Sequence, residues 1–212
     1  MKNKIIILGF PKCGTSSFHK LFNLLNKKSI HFRYNEKNRY NEKKIGTIIK
    51  MNKNANIPLL SGFEDIECIT QMDVCKSKKD CYWPQIVDFK QLYYENKQSI
   101  FILNKRNPQC LLKSFKNWNK LDQRIKRFNP ELINEKSDDG LIQLFKRHYN
   151  DVELFFKSLP NAKFLSYDID CDNINKLKKY IDIKDITEFP KENISKKKKI
   201  KKKYNIYTSR IN

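Results

Sequence analysis

The chain has 212 residues and a formal net charge of +21, from 44 Lys and Arg against 23 Asp and Glu. That length suits one α/β domain with a core that needs no metal or disulfide staple. Aromatic content of 12% excludes a wholly disordered chain, and five Gly with seven Pro exclude a collagen-like or Gly/Pro-rich one.

Met1 to Gly9 opens with two lysines and then Ile5-Ile6-Ile7-Leu8. The apolar stretch is too short for a signal peptide, no small-residue cleavage site follows, and no run elsewhere reaches the roughly 20 residues of a membrane span. It reads as a buried first strand of a soluble, intracellular, cytoplasmic protein without a membrane span. Phe10 to Gly14 is a loop. From Thr15, Phe18, Leu21, Phe22 and Leu25 recur at helical spacing. Residues 33–56 are polar, rich in Lys and Asn and without a period, and predict a surface loop or insertion. Pro58 to Phe63 predicts a second strand. Pro84 to Tyr94 predicts a helix with Ile86, Phe89, Leu92 and Tyr93 on one face, Ser99 to Asn104 a buried strand, and Leu111 to Trp118 another helix. Leu141 to Leu159 predicts a long amphipathic helix capped by Asp138 or Asp139 and broken by Pro160-Asn161. Lys163 to Tyr167 predicts a strand, and Ile174, Leu177 and Ile181 a last helix.

Strands alternating with helices imply an α/β fold whose parallel sheet is covered on both faces. One domain spans 1–212, ending in a basic segment at 191–212 in which Lys196 to Lys203 holds seven Lys in eight positions. Lys, Asn and Ile fill 85 positions, the signature of an AT-rich coding sequence, so part of the charge reflects composition rather than an anionic partner. The six cysteines have no CxxC spacing, and no His lies near the cluster Cys68, Cys75 and Cys81. Free thiols are expected, and no zinc site. Trp83 and Trp118 read as packing residues.

Chemistry concentrates in the loop after the first strand. Backbone N–H groups there, reinforced by the helix dipole, form a phosphate site. Gly9-Phe10-Pro11-Lys12-Cys13-Gly14-Thr15-Ser16 has two glycines at the spacing of a nucleoside triphosphatase loop. Thr15, however, stands where that loop has its lysine. Lys12 lies earlier, on the approach side, and Asp168 and Asp170 are the nearest imitation of a magnesium-holding aspartate.

Pro11-Lys12-Cys13-Gly14-Thr15-Ser16-Ser17 resembles the phosphosulfate loop of the sulfotransferase family, and a second motif strengthens the resemblance. Ile100 to Leu103 leads to Arg106-Asn107-Pro108, and Ser114 follows Arg106 by eight residues, the family's spacing for its 3′-phosphate site. A guanidinium and a hydroxyl suit a phosphate monoester. Phe164 to Asp168 is similar to the strand whose tyrosine, here Tyr167, lies beside the adenine. Phe189-Pro190 with Asn193 is similar to the C-terminal end of one branch. The resemblance implies a three-layer α/β/α, P-loop NTPase-like sulfotransferase fold. It implies 3′-phosphoadenosine 5′-phosphosulfate (PAPS) as co-substrate, no metal requirement, and a small-molecule or carbohydrate acceptor. Cofactor-binding residues would be Pro11, Lys12, Cys13, Gly14, Thr15, Ser16, Ser17, Arg106, Ser114 and Tyr167. Lys12 would stabilise charge on the leaving oxygen. Candidate bases are Asp73 first, by its match to an Asp in one branch, then His31, then Glu64, Asp65 and Glu67. Three rivals remain: a P-loop kinase using ATP and magnesium, a basic nucleic-acid binder without a specific recognition motif, and a sulfotransferase fold that has lost activity. Oligomeric state and the acceptor itself stay open.

Overall fold

The structure, a computed structural model, describes residues 3–34, 43–183 and 186–192. The lysine run at 196–203 and Asn193 lie outside the described residues. The elements in order are β1 (Ile5–Ile7), α1 (Thr15–Leu24), β2 (Ser29–Ile30), β3 (Arg33–Tyr34), β4 (Lys43–Lys44), α2 (Ile45–Asn54), β5 (Cys68–Ile69), β6 (Val74–Cys75), β7 (Cys81–Tyr82), α3 (Pro84–Val87), α4 (Phe89–Glu95), β8 (Ile100–Lys105), α5 (Pro108–Asn117), α6 (Leu121–Phe128), α7 (Asp138–Lys157) and β9 (Lys163–Asp168). Short 3-10 turns lie at Pro130–Leu132 and Ile174–Lys179.

Five strands form a parallel sheet in the order β2-β5-β1-β8-β9. β1 sits at its centre, with Ile5 opposite both Cys68 and Ile100. Side chains alternate across a strand, and the alternation divides the core in two. Ile6, Phe101 and Leu103 pack with Leu92 of α4, Phe115 of α5 and Phe145 of α7. Ile5, Ile7, Ile102 and Tyr167 pack with Phe18, Leu21 and Phe22 of α1 and with Leu177. The result is the expected three-layer α/β/α architecture with a central parallel sheet. The chain leaves β1 toward β2 and β5 on one side, and β8 joins on the other. In such sheets a crevice opens beyond the C-terminal strand ends at that reversal.

Several local expectations change. Residues 45–54 are not loop but α2, which buries Ile45, Gly46, Ile49 and Asn52. Gly46 is required there, because a Cβ would lie 2.6 Å from the Met72 carbonyl. Pro58 to Phe63 is a set of turns rather than a strand. Its carbonyls are taken by side chains: Asn52 Nδ2 donates to Leu59 (3.0 Å) and Ser61 (2.8 Å), and Lys4 Nζ donates to Phe63 (2.6 Å). The helix expected at 84–94 breaks at Asp88, whose carboxylate accepts from Tyr82 and Lys53. Ser137, not Asp138 or Asp139, caps α7 by accepting from Gly140 N–H at 3.0 Å. Cys75 and Cys81 face each other across the β6–β7 ladder and are joined as a disulfide, against the expectation of free thiols. Cys13, Cys68, Cys110 and Cys171 are free. Among the described residues, no helix is long and apolar enough to cross a membrane.

Candidate functional site

The loop after β1 is built by its two ends. Gly9 lies against β8 so closely that a Cβ would stand 2.0 Å from the Asn104 carbonyl oxygen. In place of a side chain, the Gly9 N–H donates to Asn104 Oδ1 at 2.7 Å. Asn104 Nδ2 in turn donates to the Cys13 carbonyl at 2.7 Å. One buried amide therefore clamps both ends of the loop. Phe10 anchors its middle, edge-on to Phe145 at 4.8 Å and to His148 at 5.1 Å. Lys12 and Gly14 have φ of 71° and 76°, left-handed values that turn successive N–H groups to one side. Gly14 precedes α1 with no side-chain cap and no acid in the first turn. The first-turn N–H groups thus face the crevice, as an anion site requires.

The second motif arrives from β8. Asn107 caps α5, its Oδ1 accepting from Gln109 and Cys110 N–H, and Pro108 occupies the first helical position, where a missing N–H costs nothing. Two turns along, Ser114 faces the same crevice as Arg106. Arg106 Nη1 donates to the Lys12 carbonyl at 3.1 Å, which ties the two motifs directly. Tyr149 accepts from Arg106 N–H at 3.3 Å and contacts Cys13 Sγ at 3.4 Å. Burial pushes the Cys13 thiol up to about 12, so it stays protonated.

Both motifs line one cleft of about 1000 Å³. Lys12, Gly14, Thr15, Ser16, Ser17, Arg106, Ser114, Tyr167 and His31 all border it, joined by Gln71, Trp118, Asp170 to Ile174 and Thr187 to Glu192. Pro11 and Cys13 support the loop from behind and do not line it. Lys12 Nζ lies 5.2 Å from the Trp118 ring, and burial, then the neighbouring Arg106, lowers its pKa. Arg106 Nε is buried, stands 3.6 Å from Asp170 and has no hydrogen-bond partner. Tyr167 packs on Phe18 and Phe189, and its hydroxyl donates to the Asp172 carbonyl at 3.2 Å.

On the far wall, His31 Nε2 and Thr15 Oγ1 are 3.1 Å apart, and Thr15 Oγ1 donates to Gln71 Oε1 at 3.1 Å. Gln71 Nε2 reaches Asp73 at 3.5 Å. Asp73 does not border the cleft. It is buried behind Gln71 and accepts from Gln85 at 3.4 Å, and burial raises its pKa to about 7. Burial, assisted by the stacked His19 ring at 5.7 Å, lowers His31 to about 4, so its imidazole is neutral at neutral pH. Glu64, Asp65 and Glu67 lie away from the cleft, with Asp65 paired to Lys28. Gln71, Asn104 and Tyr149 were not legible as site residues, because each acts through a partner distant in sequence. Trp118 lines the cleft rather than only packing. Among the described residues, no three His, Cys, Asp or Glu side chains gather as a metal group.

A family model described as a sulfotransferase domain matches residues 4–127. No curated protein matches the chain. Among solved structures, the shikimate kinase from Bacteroides thetaiotaomicron is similar at 15% identity and a TM-score of 0.41, covering 84% of this chain and 93% of that one.

Proposed function

The chain belongs to the sulfotransferase family, and we propose that it moves a sulfuryl group from PAPS to the hydroxyl or amine of a small-molecule or carbohydrate acceptor. The observation that carries this reading is the Arg106–Lys12 link. It brings a phosphate-type loop and a guanidinium–hydroxyl pair onto one cleft, which supports a donor that carries two phosphate groups. Residues 1–212 are read as one such domain.

The helix start and Lys12 would hold the 5′-phosphosulfate. Arg106 and Ser114 would hold the 3′-phosphate, and Tyr167 would border the adenine. As the acceptor oxygen bonds to sulfur, the bond from sulfur to the bridging oxygen breaks and the electron pair leaves with 3′-phosphoadenosine 5′-phosphate (PAP). Lys12 stabilises that charge from a half-buried site, where a cation acts more strongly than in water. The acceptor's proton goes to His31, which borders the cleft in its neutral form. Asp73, screened by Gln71, orients that amide instead. Gln71 Oε1 accepts the hydrogen bond of the Thr15 hydroxyl, Thr15 Oγ1 accepts from His31 Nε2–H, and Nδ1 is left to receive the acceptor's proton.

Thermal shift with PAP and with ATP, each with magnesium and with EDTA, tests the donor. PAP should raise the melting temperature equally in EDTA, because Lys12 and the loop supply the charge. Stabilisation only by ATP with magnesium would sink the reading in favour of a kinase.

A further inference from the structure

Trp118 stands at the corner between α5 and α6, about one helical turn after Ser114, and borders the same cleft. We propose, resting on the PAPS reading, that Trp118 is the positioning residue for Lys12: its indole ring holds the ammonium in the cleft, ready for the 5′-phosphosulfate.

The corner is built to fix the ring. Asn119 and Lys120 have φ of 47° and 50°, two successive non-glycine residues in the left-handed region. Such backbone persists where the surroundings impose it. The Trp118 carbonyl accepts from Leu121 N–H at 3.1 Å, which closes the turn into α6. Arg124, one turn into α6, comes to 6.0 Å from the indole centre, and its Nη1 donates to the Cys75 carbonyl at 2.6 Å. That anchored guanidinium steadies the ring, since planar guanidinium groups stack well on aromatic faces.

Lys12 needs such a partner. Its φ of 71° and the Arg106 bond to its carbonyl fix the backbone. A flexible stem still separates that backbone from the charge. Burial and the Arg106 charge both disfavour the ammonium. The indole at 5.2 Å attracts it through the negative potential of the ring face. A carboxylate in that place would also hold the ammonium, but it would repel the donor's phosphate. A ring holds the cation without neutralising it, so the charge stays available to an arriving anion.

The full-length protein tests this with PAP in calorimetry and with tryptophan emission. Trp118→Leu should bind PAP about tenfold more weakly, whereas Trp118→Phe, which keeps a ring face, should stay within about threefold of wild type. In a Lys12→Met background, Trp118→Leu should change PAP affinity by less than about twofold, because the ring then has no ammonium to place. Wild-type affinity in Trp118→Leu, a Trp118→Phe variant as weak as Trp118→Leu, or a loss that persists without the lysine would overturn the role. Emission reads the contact without ligand and does not depend on Trp118→Leu folding. The Trp118 emission, taken as the difference between spectra with the tryptophan and with Trp118→Phe, should shift when Lys12→Met is introduced. An unchanged difference spectrum would overturn the contact and the role together. Failure of the wild type to bind PAP would instead strike the donor assignment, and emission would still judge the contact between ring and ammonium.

Discussion

His31 and Asp73 have opposite electrostatic fates although one glutamine links them. Burial drives His31 down to about 4 and Asp73 up to about 7. The neutral imidazole on the cleft wall is able to accept a proton at pH 7. The carboxyl behind Gln71 reaches the cleft only by orienting that amide. The two substitutions therefore separate the roles. His31→Asn should lower kcat by about 10²-fold or more, the usual contribution of a positioned base, with PAP affinity intact. Asp73→Asn should retain more than about a tenth of the wild-type kcat, because a neutral amide can still orient Gln71. The reverse ranking in a steady-state sulfuryl-transfer assay would return the base to Asp73. The family resemblance ranks Asp73 above His31, and nothing in the sequence corrects that order, since burial behind a neighbouring side chain has no local signature.

At the scale of the element, β8 and α5 act as one device. The strand ends where Asn104 clamps the first loop, Arg106 crosses to the Lys12 carbonyl, and Asn107 starts the helix that carries Ser114. Removing the cap should loosen the turn that sets Arg106 and Ser114 relative to each other. Asn107→Ala should cost about 1 kcal/mol in chemical denaturation and weaken PAP binding in calorimetry, whereas a cap with no bearing on the site would leave the binding unchanged. This part of the molecule was legible because its chemistry is local: a buried strand, an arginine, a proline at the helix start and a hydroxyl two turns on. α2 was not legible. Only Ile45 and Ile49 of its large side chains are fully buried, and the Lys and Asn around them hide the helical period. The turns at 58–63 were misread as a strand because an apolar run carries no sign that Lys4, 59 residues from Phe63, takes its carbonyl.

For the whole molecule, the buried titratable groups compete in setting how stability depends on pH. His148, buried with its Nε2 2.8 Å from the Leu8 carbonyl, is lowered by burial to about 4, as is His31. Between pH 4 and the ordinary histidine value of 6.5, the unfolded chain holds protons on both rings that the folded chain refuses, so stability falls as pH falls through that window. Asp73 acts oppositely. Its folded pKa of about 7 exceeds the ordinary 3.8, so its contribution is complete below 3.8 and is lost as pH rises toward 7. His19 is lowered by burial as well, so the histidines outweigh the one aspartate and leave a net excess of at least about one proton on the unfolded chain, a slope of about 1.4 kcal/mol per pH unit or more. Above 6.5 the aspartate alone remains and the slope reverses, which sets a maximum near pH 6.5. The carboxylates of Asp65, Asp138 and Asp172 are lowered and weaken the fold only in more acid solution. Asp73→Asn should therefore steepen the acid side by about 1.4 kcal/mol per pH unit and flatten the curve above 6.5. Urea denaturation at pH 4.5, 5.5, 6.5 and 8 reads both features, and a variant curve parallel to wild type would mean that Asp73 is ionised in the folded protein throughout.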